Sequence, residues 1–272
     1  MHKKLRFFTL ISIIILTAGN LGAETMTDSE ALLSSAEAAF KEGNELLLTD
    51  PAAAKEFYRE AVSYYNSIIS AGTVNSGLYY NMGNTYVRLD EIGYAILNYR
   101  KALLYSPNDA QIKDNLDYAR SLQKNGFSIN TENEILHILL FGHYLLPAMW
   151  KMIILIAANL VFWSSLITSR LGRAFIKTAV VSLIIALAMG GSFFIDIRSS
   201  KIMHGVVTKD STIGRLGDSR SYESAFDAPL YQGVEFAVKQ RRVGWILAEL
   251  PNEELVWLEE ADCGIVEEIK GN

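Results

Sequence analysis

The chain has 272 residues, half of them hydrophobic, and carries a formal net charge of -5. This length allows one large core or a division into smaller modules and a membrane section, and the hydropathy profile favours division. The stretches 24–134 and 198–272 both hold more acidic than basic residues, which argues against a nucleic-acid partner.

Residues 1–23 have the three parts of an export signal. Lys3, Lys4 and Arg6 form a basic start, an apolar middle follows, and small residues end the segment at Ala23. The alternative is an uncleaved anchor helix, although the apolar run is shorter than the ~20 residues that a bilayer demands. We expect a signal peptide that is cleaved after Ala23.

Two successive helical patterns follow over residues 78–107. Small and aromatic residues recur at helical spacing on both, namely Tyr79, Met82, Gly83 and Tyr86 on the first and Ala95, Tyr99 and Ala102 on the second. Gly83 and Ala95 are small where two antiparallel helices would cross, and Pro107 stops the second helix because it lacks a backbone donor. This order resembles the tetratricopeptide repeat, position by position, and implies an all-α solenoid.

An earlier copy of the unit is more degenerate. Gly43 and Asn44 correspond to Gly83 and Asn84, and Ala54, Tyr58 and Ala61 repeat the spacing of the second helix with one residue fewer between the two halves. A further helix after Pro107, with Ile112, Leu116 and Ala119 on one face, is predicted to cap the stack. The repeats and their capping helix are therefore predicted over residues 30–124, a minimal array for a solenoid.

Such arrays bind peptides along the concave surface formed by the first helix of each unit. The resemblance therefore implies a partner-binding groove, with Asn44, Tyr80, Asn84 and Arg88 as its candidate residues. Asn44 and Asn84 occupy equivalent places where an amide can hydrogen-bond a ligand backbone, and Arg88 could pair with a carboxylate. The alternative is that these side chains are solvated helix residues without a ligand.

The segment 135–149 is apolar but is interrupted by His137, His143 and Pro147. We predict an amphipathic helix at the membrane interface, with Lys151 beside it extending to the headgroups. The spacing of the two histidines does not fit the pairing that places two ligands on one helix face, so no metal site is expected.

Residues 150–197 contain two uncharged apolar runs, at about 152–168 and 178–195, each close to the length that crosses hydrocarbon as a helix. The short connection predicts a tight transmembrane hairpin with both outer ends on one side. Arg170, Arg173 and Lys177 cluster at the turn and place it in the cytoplasm, so that both soluble flanks lie outside.

Five polar or small residues within these runs are uncommon for a membrane span: Asn159, Ser164, Ser165, Gly190 and Gly191. Their predicted role is close packing of the two helices or a hydrogen bond between them. A transport pathway would more often show ionisable residues at mid-depth. The pattern therefore favours an anchor over a transporter.

Residues 203–270 contain short β-type runs separated by turn residues: HGVVTK, STIGRL, GVEFAVKQ, GWILAEL and ELVWLEE. Brief strands at regular spacing predict a small antiparallel all-β barrel. Gly233, Trp245 and Trp257 stand where the bacterial Src-homology-3 (SH3)-like domain has a glycine and two tryptophans, and the segment resembles that domain. We expect at least one tryptophan in the core; the alternative is a groove for a peptide or a glycan strand.

Enzymatic chemistry is not indicated by any part of the sequence. Cys263 is the only cysteine, so no intramolecular disulfide can form, and its apolar neighbours favour a buried strand residue over a nucleophile. HExxH, GxSxG and phosphate-binding loop motifs do not occur in the sequence. We predict a protein without enzymatic activity, cofactor or metal.

The order of export signal, tetratricopeptide repeats, membrane hairpin and terminal SH3-like domain resembles the BatE-type family of the Bacteroides aerotolerance operons. The resemblance implies a multi-domain scaffold in the bacterial inner membrane, with both soluble domains on the periplasmic side. It also implies partners among von Willebrand factor A domain membrane proteins and a MoxR-type ATPase system, and a role in stress tolerance or envelope integrity. The alternative is a cell-wall protein that binds or senses peptidoglycan.

Overall fold

The structure is a computed structural model that describes residues 28–124, 146, 148–168, 173–199 and 203–267. The predicted signal 1–23, most of the predicted interfacial segment 135–149 and the turn around Arg170 lie outside the described residues. The predicted combination of helices, two apolar spans and a small antiparallel sheet is confirmed.

The first part of the chain is a row of helices, which we call the helical array. These are α1 (28–46), α2 (Pro51–Ser70), α3 (Ser76–Leu89), α4 (Ile92–Tyr105) and α5 (Ala110–Ser121). Side-chain oxygens of Asp50, Asn75 and Asp109 accept hydrogen bonds from backbone amides in the first turns of α2, α3 and α5. The α4 helix ends before Pro107, as predicted from the missing backbone donor.

The same glycine–tyrosine contact holds both helical hairpins together. A Cβ atom at Gly83 would lie 2.5 Å from Cε1 of Tyr99, and one at Gly43 would lie 2.6 Å from Cε1 of Tyr58. The two tyrosines are almost fully buried, at 1% and 0% exposure. Both hairpins of the array therefore pack through the same contact of a tyrosine ring against a glycine. The predicted inner face of α5 is also confirmed, with three buried residues: Ile112, Leu116 and Ala119.

Helices α6 (Ala148–Thr168) and α7 (Arg173–Ser199) pack along each other. Each contains a stretch long and apolar enough to cross a membrane, Met149–Thr168 and Phe175–Phe194. The first helix begins at Ala148, earlier than the predicted start at about 152, so Met149 of the predicted interfacial segment is part of α6. Lys151 is 2% exposed, so protein atoms surround its side chain, and its reach to the headgroups stays a prediction.

The contact between α6 and α7 uses small buried residues: Ala158, Ser165, Ala179, Ser182 and Ser192. Of the five residues predicted to pack here, Ser165 is buried and Gly190 approaches Leu155, with its Cβ position 3.8 Å from Leu155 Cδ1. Asn159, Ser164 and Gly191 are exposed instead. The helical turn explains the difference, because about 100° separates Asn159 from the buried Ala158.

The last part is a five-stranded antiparallel sheet, which we call the β domain (203–267). Its strands run in the order β4-β3-β2-β1-β5. They are β1 (His204–Val207), β2 (Glu235–Arg242), β3 (Trp245–Glu249), β4 (Leu255–Glu259) and β5 (Cys263–Val266). The predicted STIGRL strand is wrong: Ser211 has a left-handed φ of 62°, and the segment makes only isolated bridges, such as the one between Arg215 and Trp257.

Replacing Gly83 by alanine tests the repeated packing contact. The new methyl group would collide with the buried Tyr99 ring, so we expect the free energy of unfolding to fall by about 1–3 kcal/mol. Near-UV circular dichroism during thermal unfolding of the full-length protein in detergent measures the change. The matched control is Gly77→Ala, whose Cβ meets only Asn75 Oδ1 at 3.5 Å. An equal loss in both variants would contradict the contact.

Candidate functional site

Two adjoining cavities form a groove on the side of the array that carries α1, α3 and α5. The larger has a volume of about 310 Å³ and is lined by Phe40, Asn84, Val87, Arg88, Tyr99, Asn115 and Tyr118. The smaller, of about 210 Å³, is lined by Glu37, Phe40, Tyr65, Asn81 and Asn84. Phe40 and Asn84 belong to both cavities, so the groove is continuous along three helices.

Asn44 and Asn84, at equivalent positions of the two hairpins, each accept a hydrogen bond from a tyrosine of the array core. Tyr58 donates its hydroxyl to Oδ1 of Asn44 at 2.9 Å, and Tyr99 donates to Oδ1 of Asn84 at 2.7 Å. Burial raises the pKa of both tyrosines, so each hydroxyl keeps its proton and acts as the donor. The side-chain oxygens are therefore structural, while the Nδ2 groups make no hydrogen bond to any other described residue.

Tyr80 and Asn84 lie one turn apart on α3, and both are hydrogen-bonded to a residue of α5 that the sequence did not single out. Asn115 donates through Nδ2 to the Tyr80 hydroxyl at 2.8 Å and to Asn84 Oδ1 at 3.2 Å. Gln111 donates to the same Tyr80 hydroxyl at 2.8 Å. The only signal for Asn115 was that α5 stands where a third unit would begin, so that its polar face would border the same groove.

Arg88 gives the larger cavity its positive charge. Its side chain is exposed, and among the described residues no carboxylate lies within ion-pair distance of it. Phe40 and the 56% exposed Tyr118 provide aromatic surface in the same cavity. A cation, two amides and aromatic rings can bind an extended peptide that carries an acidic group.

The two tryptophans of the β domain lie on its outer face. Strand alternation turns Ile246 and Leu258 inward at 0% exposure, which leaves Trp245 and Trp257 half-buried on the opposite side. The expectation of at least one core tryptophan is therefore wrong. Arg242 places its guanidinium 4.9 Å from the centroid of the Trp257 ring, so this ring is partly covered by a cation.

The β domain also docks directly onto the helical array, a contact that no local pattern in the sequence indicated. Glu235 of β2 accepts hydrogen bonds from Arg100 of α4 and from Arg120 of α5, the latter with Nε 2.7 Å from Oε1. The glutamate side chain is 18% exposed, so this is a largely buried ion pair with both arginines on one carboxylate. We call this contact the Glu235 junction.

Amide groups and close packing extend the Glu235 junction. Gln232 accepts from the Gly93 amide at 3.1 Å, and Gln123 donates to the Gly233 carbonyl at 2.7 Å. A Cβ atom at Gly264 would collide with Cδ2 of Leu97, so β5 approaches α4 this closely because glycine faces the leucine side chain.

The core of the array continues into the β domain. Val206 of β1 is 1% exposed and belongs to the same hydrophobic cluster as the array residues. Hydrogen bonds, ion pairs and apolar contacts thus join the array and the β domain into one body.

The charges of the Glu235 junction shift two pKa values in the same direction. Burial alone would raise the pKa of Glu235, but the hydrogen bonds and charges of Arg120 and Arg100 hold it below its ordinary value. Burial, followed by the charge of Arg100, lowers the pKa of the neighbouring His204. The docked arrangement therefore favours an ionised Glu235 and a neutral His204.

The single cysteine lies on a strand of the β domain, as predicted. Cys263 in β5 is half-buried, and burial raises the pKa of its thiol to about 12, so the thiolate needed for nucleophilic chemistry is disfavoured. Within the described part of the chain, no group of three His, Cys, Asp or Glu residues is placed to hold a metal ion.

Comparison of the chain with models of known protein families and with curated protein sequences gives no match.

Lowering the pH should weaken the Glu235 junction in two stages. Both groups have a lowered pKa in the folded protein, so their stabilisation is complete above the ordinary value and is lost as the pH falls through the lowered one. We expect the unfolding temperature of the full-length protein to decrease when the pH is lowered below 6.5, the ordinary pKa of His204. It should decrease again below pH 4.5, the ordinary pKa of Glu235.

Two variants identify the groups that respond. His204→Gln should remove the first stage, and Glu235→Gln should remove the second and lower the unfolding temperature at neutral pH. Glu254→Gln, at an exposed position away from the junction, is the matched control and should behave like the natural protein. A pH profile that is unchanged in both junction variants would contradict this assignment.

Proposed function

We propose that the protein is a membrane-anchored, outward-facing scaffold that binds partner proteins through the groove of its helical array. The observation that carries the proposal is that Arg88, Asn84 and Asn115 converge with aromatic side chains in an open groove. This arrangement offers recognition groups for a peptide without offering a catalytic constellation.

The membrane placement rests on the apolar hairpin and on the Glu235 junction together. The array precedes α6 and α7, and the β domain follows them, yet the two contact each other through Arg100 and Glu235. If α6 and α7 cross a bilayer, they must return the chain to the side from which it came. Arg170, Arg173 and Lys177 near the turn then favour a cytoplasmic turn and an extracytoplasmic array and β domain in a bacterial inner membrane.

The repeated packing contact supports the proposed family. Gly43 and Gly83 receive equivalent tyrosine rings, which agrees with the resemblance to tetratricopeptide repeats, and the short antiparallel strands agree with an SH3-like domain. On this basis we propose a BatE-type protein, whose partners would be von Willebrand factor A domain membrane proteins and a MoxR-type ATPase system. Its role would be in stress tolerance or envelope integrity.

A second candidate function is binding of the cell wall by the β domain. The half-buried rings of Trp245 and Trp257 lie on the outer face, with Leu247 paired to Trp257 across the strands. Exposed aromatic faces suit sugar rings as well as peptides. The Arg242 guanidinium on Trp257 competes for part of this surface, which is why the groove of the array is the first candidate.

Charge reversal at Arg88 tests partner binding in the groove. We expect Arg88→Glu to reduce the recovery of crosslinked partner proteins from intact cells by at least about tenfold, because it removes an attraction and adds a repulsion. The measurement is in-cell crosslinking of the full-length protein followed by quantitative mass spectrometry. Lys55→Glu is the matched control, since Lys55 is also exposed but lines none of the described cavities.

Two results would contradict this proposal. Recovery that is unchanged by Arg88→Glu, or reduced equally by Lys55→Glu, would exclude the groove as the binding site. Retention of the protein on purified cell wall, lost in Trp257→Ala and kept in Arg88→Glu, would favour the second candidate function.

A further inference from the structure

Asn159 lies at the centre of the first apolar span. The span runs from Met149 to Thr168, so at the rise of a helix Asn159 is about 15 Å from either end, near the middle of a bilayer ~30 Å thick. Its side chain is exposed and makes no hydrogen bond to any other residue that the structure describes. In a bilayer spanned by this helix, a polar amide would therefore face the hydrocarbon.

The second helix of the hairpin does not cover this amide. The α6 face against α7 is marked by the buried Ala158 and Ser165, and Asn159 lies about a quarter-turn away from it. The exposed Ser164 differs from Asn159, because its hydroxyl donates to the Val161 carbonyl of its own helix at 3.0 Å. Asn159 is thus a polar group in this span for which the described residues offer no hydrogen-bond partner, and hydrocarbon offers none either.

A second copy of this chain supplies such a partner by symmetry. Two copies inserted by the same signals have the same orientation, so a two-fold axis along the membrane normal places Asn159 of each copy at the same depth. A carboxamide both donates and accepts, so two facing asparagines can satisfy each other. The two Asn159 side chains therefore meet without a shift of one helix along the other, and no other polar residue is needed as a partner.

The exposed residues around Asn159 have the spacing of a helix–helix seam. Met152, Ile156 and Trp163 stand with Asn159 at alternating steps of four and three residues, and they are 44%, 53% and 55% exposed. This is the repeat by which two parallel helices interlock, and one asparagine in such a seam fixes register and partner number. Apart from Ser164, which is hydrogen-bonded to its own helix, the other exposed residues of the span are apolar, so Asn159 distinguishes this stripe.

We propose that the α6 stripe of Met152, Ile156, Asn159 and Trp163 packs against the same stripe of a second copy within the membrane, with the two Asn159 amides hydrogen-bonded. This inference rests on the membrane anchoring proposed above. A dimer of this kind carries two array grooves, one from each copy. A partner with two binding segments could occupy both grooves at once and so bind more tightly.

Disulfide crosslinking of the full-length protein in isolated membranes tests the pairing. Ile156→Cys in a Cys263→Ser background places one cysteine per chain a helical turn from Asn159. We expect oxidation to give a crosslinked dimer, and the further change Asn159→Leu to lower the crosslinked fraction about tenfold. Ser164→Ala is the matched control and should leave that fraction unchanged.

The other outcomes overturn the proposal in distinguishable ways. A chain that stays monomeric under oxidation, or a dimer indifferent to Asn159→Leu, excludes the paired amides but leaves the membrane anchor intact. An Asn159-dependent crosslink to a chain of different mass excludes a second copy as the partner. Release of the protein from membranes by alkaline carbonate, measured first, would instead overturn the anchor itself.

Discussion

The ion pair between Glu235 and the two arginines of the array constrains the rest of the molecule. A carboxylate that is mostly removed from water needs compensating charge, and Arg100 and Arg120 provide it from two different helices. The contact therefore fixes β2 against the end of the array. It also positions β1, which pairs with β2, and β5, which pairs with β1. Because the apolar hairpin of α6 and α7 lies between these elements in the chain, the same ion pair would also limit how the chain can cross a bilayer.

The docked β domain completes the short helical array. An array of two hairpins and a capping helix exposes the hydrophobic face of its last units, since each unit buries its core only against a neighbour. Leu97 of α4 is 6% exposed because β5 covers it at Gly264, and Val206 enters the core of the array. The groove lined by α1, α3 and α5 stays open, so the β domain stabilises the array without closing its candidate binding surface.

Local patterns in the sequence predicted most of the individual elements. Tyr79, Tyr86 and Tyr99 at helical spacing are buried as expected, because the period of a helix decides which residues share a face. The spans were evident from composition alone. The first span begins at Met149, before the predicted start at about 152, since Met149 and Trp150 are as apolar as the helix they join.

The contacts between distant elements were not predictable from one sequence. Glu235 lies far along the chain from Arg100 and Arg120, and nothing in its local sequence distinguishes it from a solvated strand residue. At least one of Trp245 and Trp257 was expected in the core because large rings usually are, whereas the neighbouring residues Ile246, Val256 and Leu258 take the core positions. Among the amides, the sequence indicated Asn44 of α1 and Asn84 of α3 but not Asn115, because α5 lacks the glycine that marked the other units.

A disulfide between α4 and β5 tests the docked arrangement most directly. The variant is Leu97→Cys with Gly264→Cys in a Cys263→Ser background, because these side chains would be in direct contact. Such a bond requires both cysteines on the same side of the membrane, within about 4.5 Å between Cβ atoms, and in an oxidising compartment. The account predicts an intramolecular disulfide in intact cells without added oxidant. Two free thiols that both react with a membrane-impermeant maleimide would contradict it.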